Sequence, residues 1–424
     1  MIETRPQKPR ERALLIGLEK EGVSKWALHD SLDELRELAN SAGAEVVDTV
    51  TQKLQKPTAP YYIGRGKAES IKESCREQHV TSVIFDDELS PAQGRNLENL
   101  FSRKVVDRTQ LILDIFAQRA RSREGRLQIE LAQLQYLLPR LTRMWHHLSR
   151  QTGGIGTRGP GETQLEVDRR RVQGRIARLE RELESVRKTR AIQRQGRKRH
   201  QWPVAAVVGY TNAGKSTLLN LLTGADLLAE DKLFATLDPT TRSFVLPNKQ
   251  RVLLTDTVGF LRKLPHTLIE SFKATLEEVS EADLLIHIAD LSHPRVDEQM
   301  EAVDRVIKEL DAYGKQTLLV FNKIDILPNR ELVDSYLKRF SGSVAISART
   351  GEEVNKLVQA LEGALSSWRL RSRFRIPANE SALIAEIHRV GHVLELRYEG
   401  NDALIVAHVP PDLAQKLERY VEPS

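Results

Sequence analysis

The chain has 424 residues, 40% hydrophobic and 29% charged, with a formal net charge of +6; that length predicts about three domains, and the composition excludes a disordered chain. One cysteine, Cys75, rules out an internal disulfide and fits a reducing compartment. With no apolar run of roughly 18 residues and a charged start, MIETRPQKPRER, neither a membrane span nor a secretory signal is expected, and the expected address is the cytoplasm.

In chain order, the first hundred or so residues alternate strand-like and helix-like segments: RALLIGLE, a helix over about 28–42, EVVDTV, a helix near 68–78, TSVIFDD, a helix near 91–100, and KVVDR. That alternation predicts a parallel sheet, so residues 1–120 are assigned to an N-terminal α/β domain. Within it, YYIGRGKAESI places Gly64, Arg65, Gly66 and Lys67 after a short apolar segment. This reads as a turn entering a helix, as a phosphate loop for a second nucleotide, or as an RNA contact, with Arg65 and Lys67 as its charges; ATP would be that nucleotide if the chain were an ATP-using RNA remodeller.

From Leu127 the apolar positions Leu127, Leu131, Leu134, Leu138, Leu141, Trp145 and Leu148 step alternately by four and three, a heptad seam. Compatible positions return at Leu165, Val172, Ile176, Leu179, Leu183 and Val186. Between the two seams lies QTGGIGTRGPGET, whose five glycines and one proline cannot continue a helix. Residues 121–200 therefore predict a long antiparallel helical hairpin with a glycine-rich tip, followed by the basic linker KTRAIQRQGRKRH. From Arg119 to His200, 21 Lys and Arg stand against 8 Asp and Glu, so this segment carries +13 and the rest of the chain −7. A polyanion such as RNA is the partner this polarity fits, a solvated helical arm being the plainer alternative.

Residues 201–368 carry the nucleotide motifs. GYTNAGKS, Gly209, Tyr210, Thr211, Asn212, Ala213, Gly214, Lys215 and Ser216, follows the strand VAAVV and opens the helix STLLNLLTG, which Thr217 continues. A strand, a glycine-rich turn and a helix start make a cradle of backbone N–H groups for phosphates. Lys215 would then reach the β and γ phosphates and Ser216 would hold Mg2+. The polar loop FATLDPTTR offers a second Mg2+ hydroxyl; Thr236, 20 residues before Asp256, is preferred over Thr240 and Thr241. Its neighbours Phe234, Ala235, Leu237 and Asp238 are counted with the nucleotide site. DTVG, from Asp256 through Thr257 and Val258 to Gly259, supplies a carboxylate near the metal and an N–H that senses the γ-phosphate. Lys215, Thr236 and Gly259 are the expected catalytic contacts.

NKID, Asn322, Lys323, Ile324 and Asp325, leaves the strand TLLVF and selects the base. Asp325 can accept from N1–H and the exocyclic amine of guanine, which adenine cannot match, so GTP is the expected substrate. Ser347, Ala348 and Arg349 complete the pocket after a short strand. The residue after DTVG is Phe260, and an apolar ring cannot orient water. Hydrolysis is therefore expected to be slow alone and to depend on a group from elsewhere, with Arg242, Arg262 and a partner's donor all candidates. Residues 369–424 predict strands over 383–388, 393–398 and 403–409 and a helix over 411–420, a small α+β module.

Taken together, GYTNAGKST, FATLDPTTR, DTVGF, NKID, ISART and the tip GGIGTRGPGETQLE resemble the HflX family of ribosome-associated GTPases along essentially the whole chain. The resemblance implies a GTPase that binds the large ribosomal subunit and separates stalled or idle ribosomes under stress. It also implies that the N-terminal and helical domains enter the subunit's functional centre. Gly153, Gly154, Arg158 and Gly161 of the tip would then be RNA contacts, the glycines allowing close backbone approach. DNA and membrane partners are not expected, and a monomer is. The alternatives are an RNA remodeller using ATP or GTP, and a ribosome-binding regulator for which GTP is only a conformational ligand.

Overall fold

The run Ala13–Leu18 is buried on both faces, as a strand must be when helices cover a parallel sheet. In the computed structural model it forms β1 (Arg12–Glu19), parallel to β2 (Glu45–Lys53) and β3 (Ser82–Phe85), with β4 (Lys104–Asp107) beyond β3 in the order β2-β1-β3-β4. The structure describes residues 11–22, 24–141, 164–198, 202–224, 234, 240–263, 276–366 and 370–422. They fall into two compact units: Met1–Val186 with Lys232–Phe234 and Arg262–Phe272, and Arg187–Asp231 with Ala235–Leu261 and Lys273–Ser424.

The crossover helices start where caps predict. Helix α1 (Lys25–Ser41) begins at Ser24, whose Oγ accepts from the Ala27 N–H at 3.1 Å. Helix α2 spans Arg65–Glu77, and α3 (Pro91–Phe101) opens on a reciprocal Ser90/Gln93 capping box. Helix α4 (Arg108–Arg119) is capped by Asp107.

The GRGK segment forms the turn into α2. Gly64 is its N-cap, and the Gly64 N–H donates to Gln52 Oε1 at 2.9 Å. Arg65 pairs with Glu69 on the same helix. A phosphate there would have to displace Gln52.

Helices α5 (Arg123–Leu141) and α6 (Gln164–Lys198) pack through Leu127, Leu131 and Leu134 against Ile176, Leu179 and Leu183. Arg175 grips Glu130 across this seam with bonds of 2.7 and 2.8 Å. Trp145, Leu148 and the tip residues Gly153, Gly154, Arg158 and Gly161 lie outside the described residues.

In the second unit a six-stranded sheet runs β10-β9-β8-β5-β7-β6. Its strands are β5 (Val204–Gly209), β6 (Thr240–Val245), β7 (Arg251–Asp256), β8 (Leu284–Asp290), β9 (Thr317–Asn322) and β10 (Val344–Ala345). All pairings are parallel except the β6–β7 edge. Helices α7 (Lys215–Thr223), α8 (Val296–Glu309), α9 (Glu331–Arg339) and α10 (Val354–Ala364) accompany it. The nucleotide domain is thus a doubly wound α/β sheet with one antiparallel edge.

Thr240 and Thr241, expected in a loop, belong to β6 instead, opposite Asp256 and Thr255. There the Thr241 and Thr255 hydroxyls bond to each other at 3.0 Å. Ladder pairing captures the β-branched end of FATLDPTTR.

The last module differs from expectation in two elements. Residues 383–388, expected as a strand, lie in helix α11 (Ser381–Val390), whose Leu383, Ile384 and Ile387 face one core. A short apolar run satisfies either period, and packing decides. Strand β11 (Leu370–Pro377), not foreseen, joins β13 (Asp402–Val409) and β12 (His392–Glu399) in an antiparallel sheet ordered β11-β13-β12. The expected terminal helix is α12 (Pro411–Lys416) followed by a 3₁₀ turn over Glu418–Tyr420.

Candidate functional site

Strand β5 delivers the chain to the carboxyl edge of the second sheet, between β7 and β8, and α7 leaves from the same edge. Such a switch point is where open α/β sheets hold ligands. The turn between them needs glycine at two places. Gly209 has φ +154°, and a Cβ there would overlap the Ile288 carbonyl; Gly214 has φ +96°, and a Cβ would overlap the Asn322 amide. Helix α7 starts at Lys215 with no side-chain cap, so its first-turn N–H groups face the cradle without i−4 acceptors. Asn212 takes φ +59°, bending the loop.

Lys215 is buried, and its Nζ donates to the carbonyls of Gly209 at 3.2 Å and Tyr210 at 2.7 Å. Burial pulls its pKa down to about 8 against the opposing pull of Asp256. A phosphate would give that ammonium the counter-charge that the carbonyl dipoles only approximate.

Ser216 Oγ donates to Asp256 Oδ2 at 2.7 Å, bringing a hydroxyl from the helix and a carboxylate from the end of β7 together. Hydroxyl and carboxylate oxygens, with phosphates to complete the shell, are the donor set Mg2+ prefers. Among the described residues no group of three or more His, Cys, Asp or Glu could hold a metal by itself, so such an ion would lean on the substrate's phosphates. Thr236, the expected second hydroxyl, lies outside the described residues with Ala235, Leu237 and Asp238. Phe234 is described: its ring is buried against Phe116 at 4.5 Å, within the first unit.

Downstream of Asp256, Thr257 Oγ1 donates to the Val207 carbonyl at 2.7 Å and fixes the segment to β5. Val258 is buried. Gly259 lies so close to the cradle that an added Cβ would come within 2.8 Å of Thr211 Cγ2 and 2.9 Å of Lys215 Nζ. Phe260 is held by its backbone: its N–H donates to the Gly209 carbonyl at 3.1 Å and its carbonyl accepts from Thr211 N–H at 2.8 Å. Its ring is 1% exposed, a core plug. Of the arginines considered as fingers, Arg242 lies on β6 and Arg262 pairs with Asp30 at 3.9 Å in the first unit.

The NKID loop follows β9. Asn322 is buried and its amide serves the protein: Nδ2 donates to the Ala213 carbonyl at 2.8 Å, and Oδ1 accepts from Ala348 N–H at 2.9 Å. It therefore ties the phosphate cradle to the Ser347–Arg349 loop, a role that its place in NKID does not disclose. Lys323 turns with φ +68° and its Nζ meets Asp290 Oδ2 at 2.7 Å. Sequence reasoning missed Asp290; only the register pairing the last residues of β8 and β9 places it opposite Asn322.

Ile324 is buried, and Asp325 sits half-buried in the 3₁₀ turn Ile324–Ile326. The Ser347 hydroxyl accepts from Thr350 N–H at 3.1 Å, while Arg349 is exposed. The glycine-rich turn, the Ser216–Asp256 pair and the NKID loop thus converge on one edge of one sheet.

Three family models match in succession: the N-terminal part of GTP-binding GTPases over residues 29–117, their middle region over 119–197, and one described as 50S ribosome-binding GTPase over 204–323. The GTPase HflX of Caldanaerobacter subterraneus subsp. tengcongensis is 47% identical, over 97% of this chain and 94% of its own. That of Magnetococcus marinus is 46% identical over 100% and 97%, and that of Escherichia coli K12 is 48% identical over 85% of each. Among solved structures, a GTP-binding protein from Sulfolobus solfataricus in complex with GDP aligns with 84% of this chain and 99% of its own, at 25% identity and a TM-score of 0.45.

Proposed function

Since the chain belongs to the HflX family of GTPases, we propose that it binds the large ribosomal subunit and uses its GTP-bound form to separate ribosomes into subunits, acting as a cytoplasmic monomer under stress. GTP is its substrate: water adds to the γ-phosphorus, the bond from that phosphorus to the β–γ bridging oxygen breaks, and GDP and phosphate leave.

The observation that carries the ribosomal reading is α6. Over its 35 residues it exposes Arg169, Arg170, Arg171, Arg178, Arg181 and Lys188 while its leucines hold it to α5. A stiff arm of roughly 50 Å, at about 1.5 Å per residue, with cations along it fits an RNA-lined channel. The glycine-rich tip that precedes α6 in the chain, with Arg158, is the segment we assign to RNA.

In the nucleotide site Lys215 supplies charge to the phosphates. Ser216, with Thr236, would hold Mg2+, which when bound neutralises charge developing on the phosphate oxygens. Asp256 supports that position, Gly259 N–H meets the γ-phosphate and Asp325 reads guanine. Because Phe260 leaves no side chain to orient water, hydrolysis waits for the partner.

Adding purified large subunits at low salt should raise the hydrolysis rate sharply, and a rate unmoved by them would remove partner activation. Comparing ribosome splitting with GTP and with a non-hydrolysable analogue separates two uses of hydrolysis. One ribosome split per analogue-loaded molecule means hydrolysis serves release, whereas no splitting means it drives the separation.

A further inference from the structure

Thr211 is 6% exposed, and among the described residues its Oγ1 is buried without a hydrogen-bond partner. A buried hydroxyl left so costs stability, and a ligand, ion or water is the usual way such a group is completed. Its surroundings identify the ligand. The Thr211 Cα and Cγ2 lie 2.9 and 2.8 Å from where a Cβ on Gly259 would stand, and Lys215 Nζ lies 2.9 Å from the same point. Thr211 and the Lys215 ammonium therefore both lie against Gly259, whose N–H and that lysine are the groups assigned to the terminal phosphate. The Thr211 N–H is already bonded to the Phe260 carbonyl, so the side chain is what Thr211 has left to offer.

We propose that the Thr211 hydroxyl donates a hydrogen bond to the terminal phosphate of GTP and thereby makes this site discriminate triphosphate from diphosphate. In the described conformation Gly259 packs against Thr211 and Lys215. GTP enters as Gly259 lifts, and the hydroxyl then gains its acceptor while the Thr211 N–H keeps the Phe260 carbonyl. With Phe260 apolar and in the core, Thr211 adds a proton donor beside Gly259 to that of Lys215. The inference rests on the GTPase reading and names the residue that senses the third phosphate.

The test is Thr211→Val, which keeps the shape and replaces the hydroxyl by a methyl group, with Thr211→Ser as the restoring variant. Titration of the full chain with fluorescent GDP and with a non-hydrolysable GTP analogue reads the two affinities separately. Thr211→Val should weaken the analogue roughly tenfold or more, as expected for a lost bond to a charged acceptor, and leave GDP within about twofold. Thr211→Ser should recover most of the loss. Equal weakening of both nucleotides would assign Thr211 to the architecture of the loop and overturn the proposal, as would no change in either. A wild-type chain that binds neither nucleotide sinks the GTPase reading itself, an outcome the two variants cannot mimic.

Discussion

The two parallel sheets treat their carboxyl edges in opposite ways. In the first sheet the strand order reverses between β1 and β3, the place where an open α/β sheet ordinarily takes a ligand. Here that place is filled by the protein's own charges. Arg108, 2% exposed, donates from Nε and Nη2 to Asp86 Oδ1 at 3.1 and 2.7 Å and to the Ser31 carbonyl at 2.8 Å. Ser31 Oγ donates to Asp86 Oδ2 at 2.7 Å, and Lys263 donates to both Asp86 and Asp87. Arg108, Asp86, Asp87 and Lys263 are thus all paired within the first unit.

At the edge of the second sheet, Lys215 faces carbonyls and the Thr211 hydroxyl is unsatisfied. A saturated network reads as structure; unused capacity marks the ligand's position.

Removing one member of the saturated network should have the largest effect. Arg108→Ala leaves the buried Asp86 with only Lys263 and Ser31, among the described residues, to answer its charge, which costs up to about 3–5 kcal/mol, so urea unfolding of the first unit should shift strongly. Replacing both members together, Asp86→Leu with Arg108→Met, should recover much of that loss, and failure to do so would mean the pair does more than neutralise itself.

Acid should expose the same network. Burial pushes the Asp86 carboxyl up, but Arg108 and then Lys263 overcome it and hold the pKa at about 2 instead of 3.8. A lowered carboxylate pKa gives stability that is present above the unfolded value and lost as pH falls through the folded one, here between roughly 4 and 2. Arg108→Ala should flatten that dependence.

A smaller effect is expected from Gly214→Ala at the second sheet. The new methyl group would overlap the Asn322 amide at a φ of +96°, and strain of that kind predicts nucleotide binding weakened on the order of a hundredfold. Near-normal GDP affinity in that variant would show that the cradle can shift, and would blur the contrast between a filled edge and a shaped one.

How much of this was legible depended on whether chemistry or register did the placing. Gly209, Gly214, Lys215 and Ser216 announce themselves because a phosphate cradle needs a bare backbone, a cation and a hydroxyl at fixed offsets, and the structure puts them in one turn. Asn322 was legible as a site residue but not in its work, since both its bonds reach residues distant in sequence, Ala213 and Ala348. Asp290 and the Arg108 network carry no local signature; strand register and helix packing bring them together. Residues 383–388 misled because LIAEIH is apolar at both periods, and Thr240 misled because the antiparallel edge strand begins inside a motif read as a loop.

The mildest prediction concerns pH at the edge kept for the ligand. With a pKa near 8, Lys215 is half deprotonated at pH 8 when no nucleotide is bound. Phosphate supplies a counter-charge that raises that pKa, so binding at pH 8 must take up about half a proton per nucleotide, and next to none from this lysine at pH 6.5. The sign follows: affinity should fall as pH rises above about 8, by nearly tenfold for each unit until the pKa of the complex is reached. Calorimetry of GDP binding at pH 8 in two buffers of different ionisation enthalpy reads the proton count directly. Proton release, or none, would mean that Lys215 is fully charged before the ligand arrives, and the second edge would then be as well satisfied as the first.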